Sequence, residues 1–404
     1  MPSWASTITG TQWRTLLAAH LGWALDAFDV MLYAFALGAV RKEFHLGAAQ
    51  AGALASATLV ASAAGGILFG VLADRVGRVR ALVLSILTYS VFTALTATAH
   101  GVGSFLLWRA LVGLGLGGEW SAGTVLVAES WPAEHRGKAL GIVQSGWAIG
   151  YAGAAVVSAA VLPIWGWRPL FALGIVPALL AAWVRRSVPE PAAWRAAAFR
   201  RGAWRTLLRP PLRAHVAAAT AVATAVLFAY WGLFTWLPTY LAAPAAEGGA
   251  GLGLVRSAAF VVAVQGGALA GYLGFGFLAD ALGRRPSFQL FVLGAAAVVP
   301  LYALAAPYPG ALFALGPLVG LLGHGYFSVF GAMLAELFPS AIRGTAQGLC
   351  YNAGRAVSAA APYTLGVLAD HAGLAAALAS TSAFFALAGL LVRLLPETRG
   401  RSLA

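Results

Sequence analysis

The sequence predicts an all-α integral membrane protein of twelve transmembrane helices, arranged as two six-helix halves in parallel repeat. Three observations carry the prediction. The chain of 404 residues is 60% hydrophobic and 10% charged, where a soluble domain is about a quarter charged; so little charge cannot cover a water-facing surface of this size. Long stretches (44–73, 81–108, 139–167, 214–246, 257–279, 286–335 and 371–392) hold no Lys, Arg, Asp or Glu. Short motifs also return at a fixed offset of 206 or 207 residues.

A bilayer crossing takes roughly 20 apolar residues as a helix, and only helices or closed barrels satisfy their backbone groups in hydrocarbon. Barrel strands alternate apolar and polar residues over about 10 positions; these stretches are longer and do not alternate. The expected spans are 13–38, 49–73, 80–99, 103–128, 138–161 and 167–185, then 214–241, 257–279, 286–305, 309–335, 344–369 and 373–394. Between the sixth and seventh, residues 185–213 carry eight Arg and prolines at 189, 191, 210 and 211, which reads as a basic linker on the membrane surface. The expected division is therefore a six-helix half at 1–190, a linker at 191–212 and a second half at 213–404.

The net charge of +13 would suggest a nucleic-acid partner for a soluble protein. In a membrane protein its placement matters more. Of the 26 Lys and Arg, 20 fall in loops on the side of the termini, four on the opposite side, and two, Arg109 and Arg355, inside spans. The positive-inside rule then puts both termini in the cytoplasm and the chain in a bacterial cytoplasmic (inner) membrane. No basic stretch with a short apolar core and cleavage site opens the sequence, so the first span is expected to target it. The lone Cys350 excludes an intramolecular disulfide framework. No metal-ligand spacing and no nucleophile triad stand out, and the glycine-rich stretch 113–118 lacks the Lys-Ser/Thr of a phosphate loop. Neither an enzyme nor ATP as energy source is implied.

The repeat is specific. Gly70-x-x-x-Asp74-Arg75-x-Gly77-Arg78 returns as Gly276-x-x-x-Asp280-x-x-Gly283-Arg284; Glu129-x-x-Pro132 with Arg136 returns as Glu336-x-x-Pro339 with Arg343; Pro189-Glu190 returns as Pro396-Glu397. Duplicated helical halves around a midplane site are the architecture of secondary transporters.

On these residues the chain resembles the major facilitator superfamily over its whole length. The segment from Gly70 to Arg80 is similar to the signature between that family's helices two and three, and Arg109-x-x-x-Gly113-x-Gly115 is similar to its helix-four motif. Asp26-x-x-Asp29 resembles an element of metabolite:proton symporters. Gly117-Gly118-Glu119-Trp120, Glu129-Ser130-Trp131-Pro132 and Trp165-Gly166-Trp167-Arg168 are most similar to the sialate:proton symporter group, which includes lactate and pyruvate carriers. The resemblance implies the major facilitator fold, alternating access, and a cavity lined by helices one, four, seven and ten. Helix five lacks the Gly-Pro motif of drug antiporters, which argues against export.

Ionisable groups inside a membrane are costly and mark pathways. Five are deep: Asp26, Asp29, Arg109, Glu119 and Arg355. Asp26 and Asp29 share one helix face. Low dielectric and a like-charged neighbour both disfavour ionised carboxyls, so the pair can bind and release a proton; Glu119 is a third candidate, or a structural partner. Arg109 lies at the depth of Asp29, as a switchable or a permanent ion pair. Arg355 is the only charge inside span eleven; it can take a substrate carboxylate with Asn352 one turn away, or reach an Asp of helix one. Tyr230 and Trp231 are candidate substrate contacts, whereas Trp236 and Tyr240 read as an interfacial belt. His324 is a candidate contact or relay, or a packed histidine. The repeated motif residues Gly70, Asp74, Arg75, Gly77, Arg78, Glu129, Arg136, Asp280, Arg284, Glu336 and Arg343 are candidates for a cytoplasmic gate, or for folding support.

The expected function is proton-coupled uptake of a small organic anion, a monocarboxylate or acid sugar, with the proton as coupling ion and no other cofactor. The alternatives are a carrier of a neutral sugar or polar metabolite and, less favoured, an efflux antiporter. A monomer in the lipid bilayer is expected, with a small carboxylate as partner and no nucleic acid.

Overall fold

A computed structural model describes residues 8–132, 135–191, 207, 209–210, 212–338 and 343–399. Among them every regular element is helical. In chain order these are α1 (Gly10–Phe44), α2 (Ala48–Val76), α3 (Arg78–Thr96), α4 (Val102–Ser130), α5 (Arg136–Trp165), α6 (Trp167–Ala172), α7 (Pro177–Ser187), α8 (Leu212–Ala242), α9 (Gly253–Leu282), α10 (Arg284–Leu304), α11 (Pro309–His324), α12 (Phe327–Glu336), α13 (Arg343–Ser358), α14 (Ala361–Ala372) and α15 (Leu374–Leu391). Ten helical spans are long and apolar enough to cross a bilayer. The tenth and eleventh expected spans complete the set, each broken in two. The linker expected at 191–212 falls mostly outside the described residues.

Local chemistry explains the boundaries. α1 opens on a capping box: Gln12 N–H donates to the Thr9 hydroxyl at 3.3 Å and Thr9 N–H to Gln12 Oε1 at 2.9 Å. The sixth span breaks before Pro177, which starts α7. In the eleventh, Pro362 has no N–H to continue the ladder, and the Ser358 hydroxyl donates to the Arg355 carbonyl at 3.0 Å. In the tenth, the Gly323-His324-Gly325 run has weak helix preference and lets α9 pack close, since a Cβ on Gly325 would stand 3.0 Å from the Gly271 backbone. Both breaks were invisible to a reading that sought continuous apolar stretches. Broken spans build midplane sites in transporters.

The two repeats meet through a symmetric set of helices. α2 packs on α13 and α14, α5 packs on α9, and α1 packs on α8. Shifted by the repeat offset, α2 becomes α9, and α5 becomes α13 with α14. The two flanking contacts are therefore one contact seen twice. At the end opposite the N-terminus the seam is tight: a Cβ on Gly52 would stand 2.2 Å from the Pro362 carbonyl, and one on Gly366 2.4 Å from that of Ala48.

The repeated sequence motifs form a repeated structure. Arg78 pairs with Glu129 at 3.1 Å, and Arg284 with Glu336 at 3.5 Å; Arg284, the first residue of α10, also pairs with Asp280 near the end of α9. Glu190 accepts from the first N–H groups of α3, Val79 at 3.1 Å and Arg80 at 3.2 Å, and Glu397 does the same for α10, from Arg284 at 2.9 Å and Arg285 at 3.0 Å. Each arrangement stays within its own repeat, tying span three to spans four and six, and span nine to spans eight, ten and twelve. Arg75 is exposed, and nothing packs where a Cβ on Gly70 would lie. The side chains of Asp74, Arg136 and Arg343 lie outside the described residues.

One expectation is overturned. Trp236 and Tyr240 are both fully buried, not an interfacial belt. The Trp236 indole donates to the Pro362 carbonyl at 3.0 Å and the Tyr240 hydroxyl to that of Ala303 at 2.9 Å. Both satisfy backbone oxygens next to helix ends inside the second repeat.

Candidate functional site

The five deep charges gather along the inner face of α1. Asp29 accepts from the Thr93 hydroxyl of α3 at 2.5 Å, and its other oxygen stands 3.8 Å from Nη1 of Arg109 on α4. The guanidinium lies between rings of Tyr33 and Phe171, 5.4 and 5.8 Å from their centroids, where desolvated cation–π attraction is worth about 2 kcal/mol.

One turn earlier, Asp26 faces a different set. Arg355 and Asp29 are the charges it feels, and Glu119 in turn feels Asp26. Glu119 reaches α1 because residue 22 is glycine: a Cβ there would stand 2.0 Å from Oε1. Both oxygens of Asp26 and of Glu119 are buried without a hydrogen-bond partner among the described residues. Three carboxyls thus face two guanidiniums. Leaving one buried charge uncompensated costs several kcal/mol, so the cluster balances when one carboxyl carries a proton.

Two small cavities adjoin the cluster, each with about 20 Å³ accessible to water; one water takes about 10–15 Å³ on that measure. The first is lined by both arginines, by Tyr33 of α1, by Thr58 and Ser62 of α2, and by Thr235 of α8. The second is lined by Trp23, Gln144, Trp147, Tyr230, Tyr272 and Tyr351, among others. Trp231 and Arg355 line both and stand between them, with the guanidinium 5.9 Å from the indole centroid. The lining differs from helices one, four, seven and ten: spans two, five, eight and eleven also contribute.

Tyr230 lines the second cavity and Trp231 lines both. Asn352 and His324 line neither cavity. Asn352 donates to the Gly348 carbonyl at 3.0 Å and packs on Gly66 of α2. His324 contacts the Gly320 carbonyl at 3.2 Å and its ring lies 4.1 Å from that of Phe234, a packed histidine. Sequence reasoning missed Thr93, Tyr33, Trp23, Gln144, Trp147 and Tyr272. Each is an uncharged residue in an apolar helix, where nothing in the sequence sets it apart from ordinary packing.

The repeat separates scaffold from chemistry. At the equivalent positions Asp26, Asp29, Arg109 and Glu119 become Leu233, Trp236, Gly316 and Tyr326, and Arg355 becomes Ala148. Motif residues at the termini end are duplicated; the deep charges are not. Another motif segment is structural: Arg168 pairs with Glu43 at 2.6 Å and the Trp167 indole donates to the same carboxylate at 2.7 Å, fastening α6 to the far end of α1.

A sequence model of the Major Facilitator Superfamily matches residues 19–274 and 245–403. A protein of Cupriavidus pinatubonensis assigned to 4-methylmuconolactone transport is 36% identical over 99% of this chain and 94% of its own. The cis,cis-muconate transport protein of Acinetobacter baylyi is 34% identical over 90% of each chain. A sialic acid transporter of Escherichia coli is 28% identical over 96% of each. Among solved structures, a D-xylose-proton symporter aligns with a TM-score of 0.77 and 21% identity, over 98% of this chain and 100% of that one; at that identity the likeness speaks for the fold.

Proposed function

The chain belongs to the major facilitator superfamily and is a multi-pass membrane transporter, and we propose that it imports a small organic acid together with a proton. One observation carries the reading: Arg109 and Arg355, both buried, line one cavity beside three buried carboxyls, two of which have no hydrogen-bond partner among the described residues. The arginines attract the acid's carboxylate. A proton on Asp29 releases Arg109 toward the cavity, and Asp26 and Glu119 share the remaining site. Substrate and proton thus neutralise each other's burial, and the pair crosses when the repeats rock about α1 and α8. The relatives for muconate, its lactone and sialic acid support an organic acid as substrate class. The charge asymmetry of the loops supports an inner-membrane placement with both termini cytoplasmic. All five charges come from one chain, so a monomer suffices.

Uptake into proteoliposomes of a labelled carboxylate panel, with and without a pH gradient, tests the reading. Accumulation that needs the gradient and fails in Arg355→Ala is expected. Uptake of a neutral sugar, unaffected by Arg355→Ala, would favour the polar-metabolite alternative.

A further inference from the structure

The second cavity has a wall no packed core requires. Trp23 of α1, Trp147 of α5 and Trp231 of α8 all line it and are 7, 4 and 4% exposed. Their rings pack against one another along the cavity: centroids of Trp23 and Trp147 stand 4.8 Å apart, Trp147 and Trp231 5.9 Å and nearly perpendicular, and Tyr230 and Trp231 5.3 Å. None of the three indole N–H groups has a hydrogen-bond partner among the described residues. The Trp147 N–H stands near the Tyr230 hydroxyl without reaching bonding geometry, and that hydroxyl is unpartnered too. Other buried indoles do not behave this way: those of Trp131, Trp167 and Trp236 donate to Gln12, Glu43 and Pro362. Buried donors are ordinarily satisfied, so three exceptions around one cavity point to a ligand.

The chemistry of the wall defines that ligand. An indole N–H can donate and cannot accept, so three of them call for oxygen acceptors. Four aromatic faces favour a flat, conjugated or aromatic body. Arg355, at the boundary with the first cavity, presents the planar fork that grips a carboxylate. We propose that the second cavity is a specificity subsite: it selects planar unsaturated acids carrying a second oxygen acceptor, such as another carboxylate, a lactone or a ring carbonyl, beyond the carboxylate held by Arg355. Gln144, whose amide oxygen is unpartnered, adds one adjustable contact. This inference rests on the organic-acid reading above and narrows it.

Three acids separate its parts. cis,cis-Muconate has two carboxylates joined by a diene; sorbate has the diene and one carboxylate; adipate has both carboxylates on a saturated chain. Their dissociation constants are measured on the full chain in lipid nanodiscs, by protection against thermal unfolding. Muconate is expected to bind at least tenfold tighter than either of the others. Trp147→Phe and, separately, Trp23→Phe keep an aromatic face and remove one N–H. Each should bring muconate to within about threefold of sorbate (roughly 0.65 kcal/mol), because muconate loses an acceptor contact that sorbate never makes. Wild-type protein binding sorbate as tightly as muconate would overturn the subsite, as would an unchanged muconate-to-sorbate ratio in both variants. In either case, binding still lost in Arg355→Gln would leave the organic-acid reading standing. If no acid of the three binds and the labelled carboxylate panel also fails to enter proteoliposomes, both readings fall together.

Discussion

Arg109 holds Nη1 3.8 Å from Oδ1 of Asp29, within the reach of an ion pair and beyond that of a hydrogen bond. Among the described residues only the Thr93 hydroxyl bonds this carboxylate directly, so a proton arriving on Asp29 breaks no hydrogen bond to Arg109. Asp29→Asn imitates the protonated state permanently. Accumulation against a gradient should fall at least tenfold, while exchange of internal for external substrate, which moves no net proton, persists. Removing one partner of a buried pair costs about 3–5 kcal/mol, and surviving exchange doubles as proof of folding. If pH-driven accumulation is intact in this variant, Asp29 is not the coupling group.

Arg109 and Asp29 lie in one repeat; another contact binds the repeats to each other. Asp370 of α14 accepts from Ala48 N–H at 2.9 Å and Ala49 N–H at 2.8 Å, capping α2 from the other repeat. A carboxylate on a helix N-terminus gains about 0.3–1 kcal/mol from the dipole beyond the bonds themselves. Any conformation that opens this end of the bundle must break the cap. Asp370→Ala should therefore shift the population toward the open form by roughly a factor of 5–30, the equivalent of 1–2 kcal/mol. With the buried Cys350 replaced by Ser, a cysteine placed at Ser56, whose hydroxyl accepts from Tyr363 N–H across the same seam, reports the change by faster labelling with a membrane-impermeant maleimide. Equal labelling rates with and without Asp370 would show that the cap is not part of a gate.

Glu397 offers a pH test outside the membrane. Burial pushes its carboxyl up, but the backbone N–H groups of Arg399, Arg284, Arg285 and Thr398 pull it down further, and it ends below the ordinary carboxylate range. A depressed value in the folded state means stability that is present above the unfolded value, near 4.3, and is lost as pH falls through the folded one. Wild-type protein in detergent should lose melting temperature on acidification below about pH 4.3 more steeply than Glu397→Gln. Parallel acid limbs for the two proteins would contradict this.

How much of this was legible beforehand follows from what each feature costs. Charge in hydrocarbon is expensive, so Asp26, Asp29, Arg109, Glu119 and Arg355 stood out against apolar runs, and the Arg109–Asp29 pairing followed from depth alone. The repeat exposed Glu129, Glu336, Arg78 and Arg284, but it set the glutamates beside Arg136 and Arg343 in sequence, and the pairing with Arg78 and Arg284 came only from the fold. Neutral donors carry no such signal: Thr93, Trp23 and Trp147 sit in apolar helices where their hydroxyl or indole looks like ordinary packing, and only the partners they meet in space give them a role. The breaks near Gly325 and Pro362 were likewise hidden, because glycine and proline are tolerated inside membrane helices when neighbours satisfy the freed groups. Asn352 was misjudged by periodicity: it is one turn from Arg355, yet its amide turns back to its own helix.

The duplicated glycines make the last prediction. Gly77 and Gly283 close the loops before α3 and α10 with φ of 116° and 108°, where a side chain is strained by about 1–3 kcal/mol. Both also lie under the capping glutamates. A Cβ on Gly77 would stand 2.3 Å from Oε1 of Glu190, and one on Gly283 2.8 Å from Oε2 of Glu397. Those carboxylates are anchored by backbone N–H groups and cannot swing away without uncapping the helix, a further loss of about 0.5–2 kcal/mol. Gly77→Ala and Gly283→Ala should therefore each lower the melting temperature in detergent, the first more than the second because its contact is closer. Removing the carboxylate as well, in Gly77→Ala/Glu190→Ala, should cost less than the sum of the single changes, since the collision disappears with the cap already gone. Strict additivity in that cycle would mean that the backbone conformation alone, and not the glutamate above it, requires glycine at this turn.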